Sequence, residues 1–292
     1  MRKIGSVRLL GVGLAVFVLT FSLGVSPLPA ADDGAKLAEQ FLKKIPVPSY
    51  DQAMTMEQAM KIQAQFIKAL KPTFGEVVGY KAGLTNPNVQ KAFGVTHPVR
   101  GTILKKMLLK SGAEIEANFG SVPLYEGDLI LRVGNGEINQ AKTPQETLKF
   151  LDAVIPFIEL PDITYAKGVK ISGPALVAVN VGARFGVTGS PIPVKASKEW
   201  MDRLKNFKLQ ILDEKGAVLT EGKGDSLLGD PLNVVIWIRD SLKAEGKKLN
   251  KGDLLSLGSI TKLTPTAPNT TVRARYIGLD PKGPVDVTVK FK

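Results

Sequence analysis

Three carboxylates on two apolar segments are the residues best placed to do chemistry. Glu126 and Asp128 stand two positions apart in segment 122–133, so in a strand their side chains project from the same face. Glu159 stands near the end of a second strongly apolar segment, residues 155–160. Adjacent negative charges favour a cation, and three carboxylates suit a hard divalent metal ion. An E-x-D pair on a strand is also typical of a solvated face, so the spacing alone leaves both interpretations open.

The absence of cysteine from this chain and its single histidine, His97, restrict the other chemistries. Thiol nucleophiles, disulfides and Cys/His zinc sites are excluded, and a Ser-His-Asp mechanism would depend on His97 alone. A metal site would therefore use oxygen ligands, which suit Mg²⁺, Mn²⁺ or Ca²⁺ better than zinc or copper.

The charge balance favours an anionic ligand. The chain has 39 Lys+Arg against 27 Asp+Glu, a net charge of +12. Such a chain attracts small anionic molecules or an anionic surface. The densest basic run, residues 243–251, has no aromatic residue for base stacking, so we expect a solvated helix end there and no nucleic-acid partner.

Residues 1–31 are typical of a secretory signal peptide. Three basic residues precede a nearly continuous apolar stretch, residues 9–25, which prolines and small residues close. We expect cleavage after Ala30 or Ala31 and export of residues 32–292 to the periplasm or the medium. An uncleaved membrane anchor is the alternative, because the residue three positions before the cut is not small.

The remaining 261 residues carry about twice as many strand signals as helix signals. Helices are predicted over 35–44, from Thr55 onward, from Thr143 through Leu151 and Val154, and from Asp230 through Leu242; strands are predicted over 77–81, 122–133, 155–160, 207–212, 217–221, 254–257, 271–277 and 285–291. Since the two kinds are not strictly interleaved, the pattern favours an α+β fold with a rolled or barrel-like β core over a doubly wound sheet. We expect a helical part over about 35–75 and a β-rich core over about 76–292.

Several ordered blocks of sequence carry a resemblance to a known family. They are Gly79-Tyr-Lys-Ala-Gly-Leu-Thr85, Phe93-Gly-Val95, Gly101-Thr-Ile-Leu104, the E-x-D strand, Ile158-Glu-Leu-Pro-Asp162, Gly229-Asp-Pro-Leu-Asn-Val-Val-Ile-Trp237 and Lys251-Gly-Asp-Leu-Leu-Ser-Leu-Gly-Ser-Ile-Thr261. In this order the blocks resemble the 2-keto-4-pentenoate hydratase and 4-oxalocrotonate decarboxylase branch of the fumarylacetoacetate hydrolase superfamily. The resemblance covers nearly the whole chain from about Ala35, and it implies the mixed β-roll or barrel core with flanking helices of that superfamily.

The resemblance implies a metal site. The family holds Mg²⁺ or Mn²⁺ with an E-x-E pair and a later glutamate, and these positions fall on Glu126, Asp128 and Glu159. Asp128 departs from the pattern because it is one methylene shorter than the family's second glutamate.

The resemblance also implies the residues that contact the substrate. Lys81 is expected to hold the carboxylate or the enolate oxygen, and Asp162 is expected to transfer a proton once burial raises its carboxyl pKa. Asn180, Ser259 and Thr261 match the family's small polar side chains and are expected to bind substrate. For Ser259 and Asn180, local hydrogen bonds within a turn are the alternative.

The implied activity is that of a metal-dependent lyase in the breakdown of aromatic compounds, acting as a homo-oligomer on a small anionic 2-oxo acid. Hydration of an unsaturated 2-oxo acid through a metal-stabilised enolate is the expected reaction, and decarboxylation from the same dienolate is an alternative. Two further departures are Val179, where relatives have aspartate, and Asp230, where they have histidine; we expect Asp230 to cap a helix. A non-catalytic exported protein that binds a small anionic ligand or a metal therefore stays open as a second class of function.

Overall fold

The computed structural model describes residues 33–292. The predicted signal peptide, residues 1–31, lies outside the described residues. Within the described residues, no helix is both long enough and apolar enough to cross a membrane.

This part of the chain forms seven α-helices and fourteen β-strands, besides short 3-10 turns. The helices are α1 (Asp33–Leu42), α2 (Met56–Phe74), α3 (Pro87–Ala92), α4 (Pro144–Leu148), α5 (Gly173–Ala178), α6 (Lys198–Asn206) and α7 (Pro231–Ala244). The strands are β1 (Val77–Gly83), β2 (Val99–Leu104), β3 (Leu108–Lys110), β4 (Ala113–Ile115), β5 (Leu124–Val133), β6 (Leu151–Leu160), β7 (Phe185–Thr188), β8 (Ile192–Pro193), β9 (Lys208–Leu212), β10 (Val218–Lys223), β11 (Leu254–Ser256), β12 (Thr264–Pro265), β13 (Thr270–Asp280) and β14 (Gly283–Phe291). The prevalence of strands agrees with the α+β prediction.

The strands form two sheets. A nine-stranded sheet has the order β2-β1-β11-β5-β6-β7-β3, with β12 added to β5 and β8 added to β6. A five-stranded sheet has the order β10-β9-β13-β14-β4. Strands β5 and β6 are therefore central in the larger sheet, and almost all of their residues are buried.

The main hydrophobic core lies where the five-stranded sheet covers one face of β5 and β6. Leu129 and Leu131 of β5 belong to the same buried cluster as Leu209 and Tyr276 of the smaller sheet. The Tyr276 hydroxyl hydrogen-bonds the main chain of both central strands, at the carbonyl oxygens of Asp128 and Phe157, each at 2.7 Å. One face of β5 is thus committed to packing, and its alternate residues are left for the opposite face.

The N-terminal helices form where the sequence predicts them. Thr55 and Gln58 make the expected capping box at the start of α2. The apolar stripe of α2 is buried, and its Phe66 meets Phe41 of α1 edge to face, with ring centroids 5.3 Å apart. The predicted cap of α7 is also confirmed, since the Asp230 carboxylate accepts a hydrogen bond from the Leu232 amide at 2.8 Å.

The helix predicted from Thr143 through Leu151 and Val154 is wrong in its second half. Helix α4 ends at Leu148, and Leu151 begins the ten-residue strand β6. The reason is tertiary: this stretch pairs with β5 on one side and β7 on the other, and both of its faces are buried. Burial in the centre of a sheet outweighs the local helix signal. Several short elements, helices α3, α5 and α6 among them, were not predicted.

Candidate active site

Glu126 and Glu159 meet face to face across the two central strands. They are direct partners in the antiparallel register of β5 and β6, so both side chains leave the sheet on the same face. They are 4% and 3% exposed, and one carboxylate oxygen of each, Oε2, has no hydrogen-bond partner. Burial, and then the charge of Glu159, raise the pKa of Glu126 well above its ordinary value. The ionised form of this buried pair therefore needs a nearby positive charge to stabilise it.

Lys81 supplies part of that charge. It lies on β1, is buried, and its Nζ donates to Glu159 Oε1 and to the carbonyl oxygen of Val181, the latter at 3.0 Å. The structure thus brings three of the predicted residues, Lys81, Glu126 and Glu159, into one buried cluster.

Asp128 lies beside this cluster with its oxygens already engaged. The hydroxyl of Ser256 donates to Oδ2, and the amides of Leu129 and Leu257 donate to Oδ1 at 2.5 and 3.2 Å. Burial, and then the charge of Glu159, raise the pKa of Asp128 to about 8. In residues 33–292, no three Asp, Glu or His side chains have the arrangement of a complete metal site as they stand. The predicted third carboxylate is therefore adjacent to the glutamate pair but turned toward β11.

Asp162 has surroundings that differ from those its predicted role requires. It is fully buried, and its two oxygens accept from the amides of Ser121, Val122 and Thr164 at 2.8 to 3.2 Å. Arg184 Nη1 donates to Oδ2 at 3.0 Å, so each oxygen has two donors. Asp162 does not line the cavity that Glu126 lines. A carboxylate held in this way fixes a loop and has no free oxygen for proton transfer, which argues against the role expected from the sequence.

Asn180 also acts on the backbone. Its side chain is fully buried and pairs with the main chain of Thr102, accepting from the amide at 2.7 Å and donating to the carbonyl at 2.9 Å. Asn180, Val181 and Gly182 all have positive φ, at 57°, 54° and 67°. A β-branched residue such as Val181 is strained there, so the Asn180 clamp holds a turn that directs the Val181 carbonyl at Lys81. Asn180 does not line the cavity, contrary to a direct role in substrate binding.

Ser259 and Thr261 do line the cavity. Ser259 is exposed, and its hydroxyl interacts with the Glu126 carboxyl. Thr261 is buried, and its Oγ1 accepts from the Gly127 amide at 2.8 Å, which ties this loop to β5. The two predicted hydroxyls therefore belong to residues that line the same cavity as Glu126, and one of them, on Ser259, interacts with its carboxyl.

The cavity has a volume of about 560 Å³. Lys81, Glu126, Ser259 and Thr261 line it together with mainly apolar residues. His97 does not line it; its Nδ1 lies 2.7 Å from the Pro98 carbonyl oxygen, in a loop. Val179 does not line it either, because it is packed among Val47, Tyr165 and Ala175. The valine at position 179 therefore lies in the core and not at the cavity.

Sequence reasoning missed Ser256 and Arg184. Ser256 is the partner of Lys81 in the parallel pairing of β1 and β11, and Arg184 neutralises Asp162. Ser256 follows Leu254-Leu255 in a buried strand. A polar side chain at the end of an apolar strand was the sequence signal that could have indicated it.

The fold is that of the fumarylacetoacetate hydrolase superfamily. A 4-oxalocrotonate decarboxylase from Pseudomonas putida G7, complexed with magnesium and adipate, aligns with a TM-score of 0.78 at 22% identity, covering 89% of this chain and 96% of that one. A fumarylpyruvate hydrolase from Pseudomonas aeruginosa, in complex with Mn²⁺ and pyruvate, aligns with a TM-score of 0.53 at 14% identity, covering 73% and 89%. The predicted α+β fold of this superfamily is thereby confirmed.

Curated relatives carry the names that the sequence blocks suggest. A 2-keto-4-pentenoate hydratase of Paraburkholderia xenovorans is 26% identical over 226 residues, which is 77% of this chain and 82% of the relative. A 4-oxalocrotonate decarboxylase of Pseudomonas putida is 25% identical over 226 residues, covering 77% and 83%. No family model matches the chain. The resemblance to the hydratase and decarboxylase branch is thus confirmed by relatives of both reaction types.

Proposed function

We propose that the chain is a divalent-metal-dependent lyase that adds water to an unsaturated 2-oxo acid. The observation that carries the proposal is the buried Glu126–Glu159 pair, with one unpartnered oxygen on each residue. Glu126 and Lys81 line the cavity, and Glu159 lies beside both of them. The named activities of the relatives support it, as do the metal ions in two structures of the same fold.

The residues present fit a hard divalent ion. All the available ligands are carboxylate oxygens, and one lysine faces three carboxylates, so the cluster is short of positive charge. Glu126 and Glu159 would hold the ion, here Mg²⁺ or Mn²⁺, and Asp128 would join them by exchanging its bond to the Ser256 hydroxyl. When bound, the ion supplies a Lewis acid that polarises the keto oxygen of the substrate.

The chain's own residues hold and orient the substrate. Lys81 Nζ, directed by the Val181 carbonyl, offers a positive charge to the substrate carboxylate. Ser259 and Thr261 place hydroxyl groups at the same end of the cavity. Asp162 and Asn180 act indirectly. Asp162 fixes a loop and Asn180 fixes a turn next to the site.

The test is hydration of 2-hydroxypenta-2,4-dienoate by the purified chain with Mg²⁺ or Mn²⁺, followed by ultraviolet absorbance. Glu126→Gln removes a ligand at constant shape, and Glu137→Gln is the control because Glu137 is exposed and does not line the cavity. Metal-dependent consumption that Glu126→Gln loses and Glu137→Gln keeps supports the proposal. Consumption that persists in Glu126→Gln contradicts it.

Decarboxylation is a second candidate, since a 4-oxalocrotonate decarboxylase shares this fold over nearly its whole length. Release of CO₂ from 4-oxalocrotonate by the same preparation, faster than hydration of the dienoate, would favour it. Metal binding with no exchange of substrate C3 hydrogens for solvent would instead favour a non-catalytic binding protein.

We propose export on the strength of residues 1–31 alone. Mass spectrometry of the protein recovered from extracytoplasmic and membrane fractions would show whether the N-terminus begins at residue 31 or 32 or is uncleaved. We also propose a homo-oligomer on the resemblance, which light scattering of the purified chain tests.

A further inference from the structure

We infer that the cavity selects a 2-oxo acid with a long, uncharged apolar tail, and this inference rests on the proposed function. The polar end of the cavity accounts for the 2-oxo acid group, since it holds the only buried charges that line the cavity in the described residues, Lys81 and Glu126. The size and lining of the other end determine what the rest of the molecule must be.

The cavity is larger than a five-carbon acid needs. Its volume of about 560 Å³ lies in the range of pockets that enclose drug-sized ligands. A short acid bound at the carboxylate cluster would leave the outer part in contact with water. A substrate that fills the cavity therefore carries additional carbon atoms beyond the reacting group.

The rest of the cavity is lined mainly by apolar side chains. They include Leu84, Val89, Phe93, Ile163 and Leu176, while Thr85, Asn86 and Ser226 contribute polar groups. Leu176 and Val181 belong to a buried cluster against which Leu84 and Phe93 pack. This wall is continuous with the core, so it is a preformed surface and not a set of isolated exposed residues.

The same surface disfavours a second carboxylate. Besides Lys81 and Glu126, the charged side chain that lines the cavity is Lys262, which is exposed. A terminal carboxylate placed against the apolar wall would lose its hydration without gaining a buried cation. The lining therefore favours a monoanionic acid over a dicarboxylate of the same length.

Two apolar residues at the cavity, Val89 and Leu263, are 41% and 39% exposed. A long tail would cover them, which assigns a ligand-binding role to side chains that otherwise face water. They also offer positions for substitution that do not disturb the core.

The experiment is titration calorimetry of the full chain with Mg²⁺, using three saturated acids: 2-oxopentanoate, 2-oxooctanoate and 2-oxooctanedioate. Saturated acids measure binding without turnover. Burial of each added methylene strengthens affinity by about fourfold, so we expect 2-oxooctanoate to bind more than about tenfold tighter than 2-oxopentanoate. We expect the dicarboxylate to bind at least about tenfold more weakly than the monoacid of equal length.

Val89→Lys and Leu263→Lys place a cation at the apolar surface and should reduce or reverse the preference for 2-oxooctanoate over 2-oxooctanedioate. Val218→Lys is the matched control, since Val218 is 49% exposed and does not line this cavity; it should leave all three affinities unchanged.

Equal affinity for the two monoacids, or tighter binding of the dicarboxylate by the unmodified chain, would overturn the inference. Metal-dependent binding of 2-oxopentanoate in that case would leave the proposed function standing. Failure of all three acids to bind would overturn both.

Discussion

Two buried ionic clusters in this molecule differ in how completely their carboxylate oxygens are paired. Around Asp162, both carboxylate oxygens have two donors each, and one of these donors is the Arg184 guanidinium, whose Nε has no partner of its own. Around Glu126 and Glu159, one lysine faces three carboxylates, and two oxygens have no partner. Buried polar groups are normally paired, because leaving them unpaired costs stability.

The difference separates a structural cluster from the cluster that we propose to be functional. Asp162 and Arg184 join a loop to helix α1, since Arg184 also donates to the Phe41 carbonyl oxygen at 2.8 Å and lies over the Phe41 ring. The glutamate pair and Lys81 all lie in one sheet, whose strands are already held together by main-chain hydrogen bonds. A cluster that is costly to bury and not needed for the fold is a candidate for chemistry.

Among the substitutions, the largest expected loss of stability is at Asp162. Asp162→Asn leaves the buried Arg184 charge without a counter-ion, and we expect the free energy of unfolding to fall by about 3–5 kcal/mol. Urea denaturation measures it. Asp152→Asn is the control, because its pair with Arg132 is partly exposed and should contribute about 1 kcal/mol or less. Equal losses in the two variants would contradict the structural role of Asp162.

The cluster of Glu126 and Glu159 should show the reverse behaviour, with little loss of stability and a large loss of function. Glu126→Gln replaces a carboxyl group whose ionisation is disfavoured by burial and by the charge of Glu159, so the metal-free protein should unfold at the same or a higher temperature. Its Mg²⁺ affinity and its turnover should fall by more than about 100-fold, above the usual cost of losing a supporting outer residue. Calorimetric metal titration and thermal unfolding on one preparation test both halves. If Glu126→Gln lowered the unfolding temperature of the metal-free protein, Glu126 would have a structural role.

Substitution of Asn180 should affect both stability and catalysis. Asn180→Ala leaves the buried amide and carbonyl of Thr102 without partners, and we expect a loss of about 1–3 kcal/mol in unfolding free energy. The turn that directs the Val181 carbonyl at Lys81 should also loosen, so kcat/KM should fall while metal affinity is retained. Asn206→Ala, at an exposed position, is the control. Unchanged kcat/KM would restrict Asn180 to stability alone.

The last expected effect is a pH dependence of stability. Burial, and then the charge of Glu159, raise the pKa of Asp128 from 3.8 to about 8, so the folded protein holds a proton that the unfolded chain releases. The stability of the metal-free protein should therefore fall as pH rises through that window, and stabilisation by Mg²⁺ should grow. Thermal unfolding between pH 5 and 9, with Mg²⁺ or with a chelator, measures both trends. Asp128→Asn should flatten the metal-free curve, and a slope that survives this change would assign it to other groups.

Much of the local structure followed from short-range patterns. The capping box at Thr55 and the Asp230-Pro231 cap depend on neighbouring residues only, and both form as predicted. The alternation of Glu126, Gly127 and Asp128 placed both carboxylates on one face of β5. Helix α4 was extended too far, because the pairing of β6 with two other strands overrides the local signal.

The sequence predicted which residues gather at the site, but it did not predict the contacts that each of them makes. Glu126, Glu159, Lys81, Ser259 and Thr261 gather at one cavity or at its base. The proton-transfer role of Asp162 and the substrate-binding role of Asn180 stay predictions. The structure shows both side chains bonded to partners 22 and 78 residues away, which the sequence did not indicate.

The sequence by itself determined which side chains carry charge, which faces of its strands are apolar, and where its helices begin, since these depend on residue type and short spacing. Only the tertiary structure decided that Glu126 faces Glu159, that Asp128 turns to Ser256 and that Asp162 is saturated. Register and loop packing bring distant residues together, and the burial that results determines whether a carboxylate is neutralised or left in need of a cation.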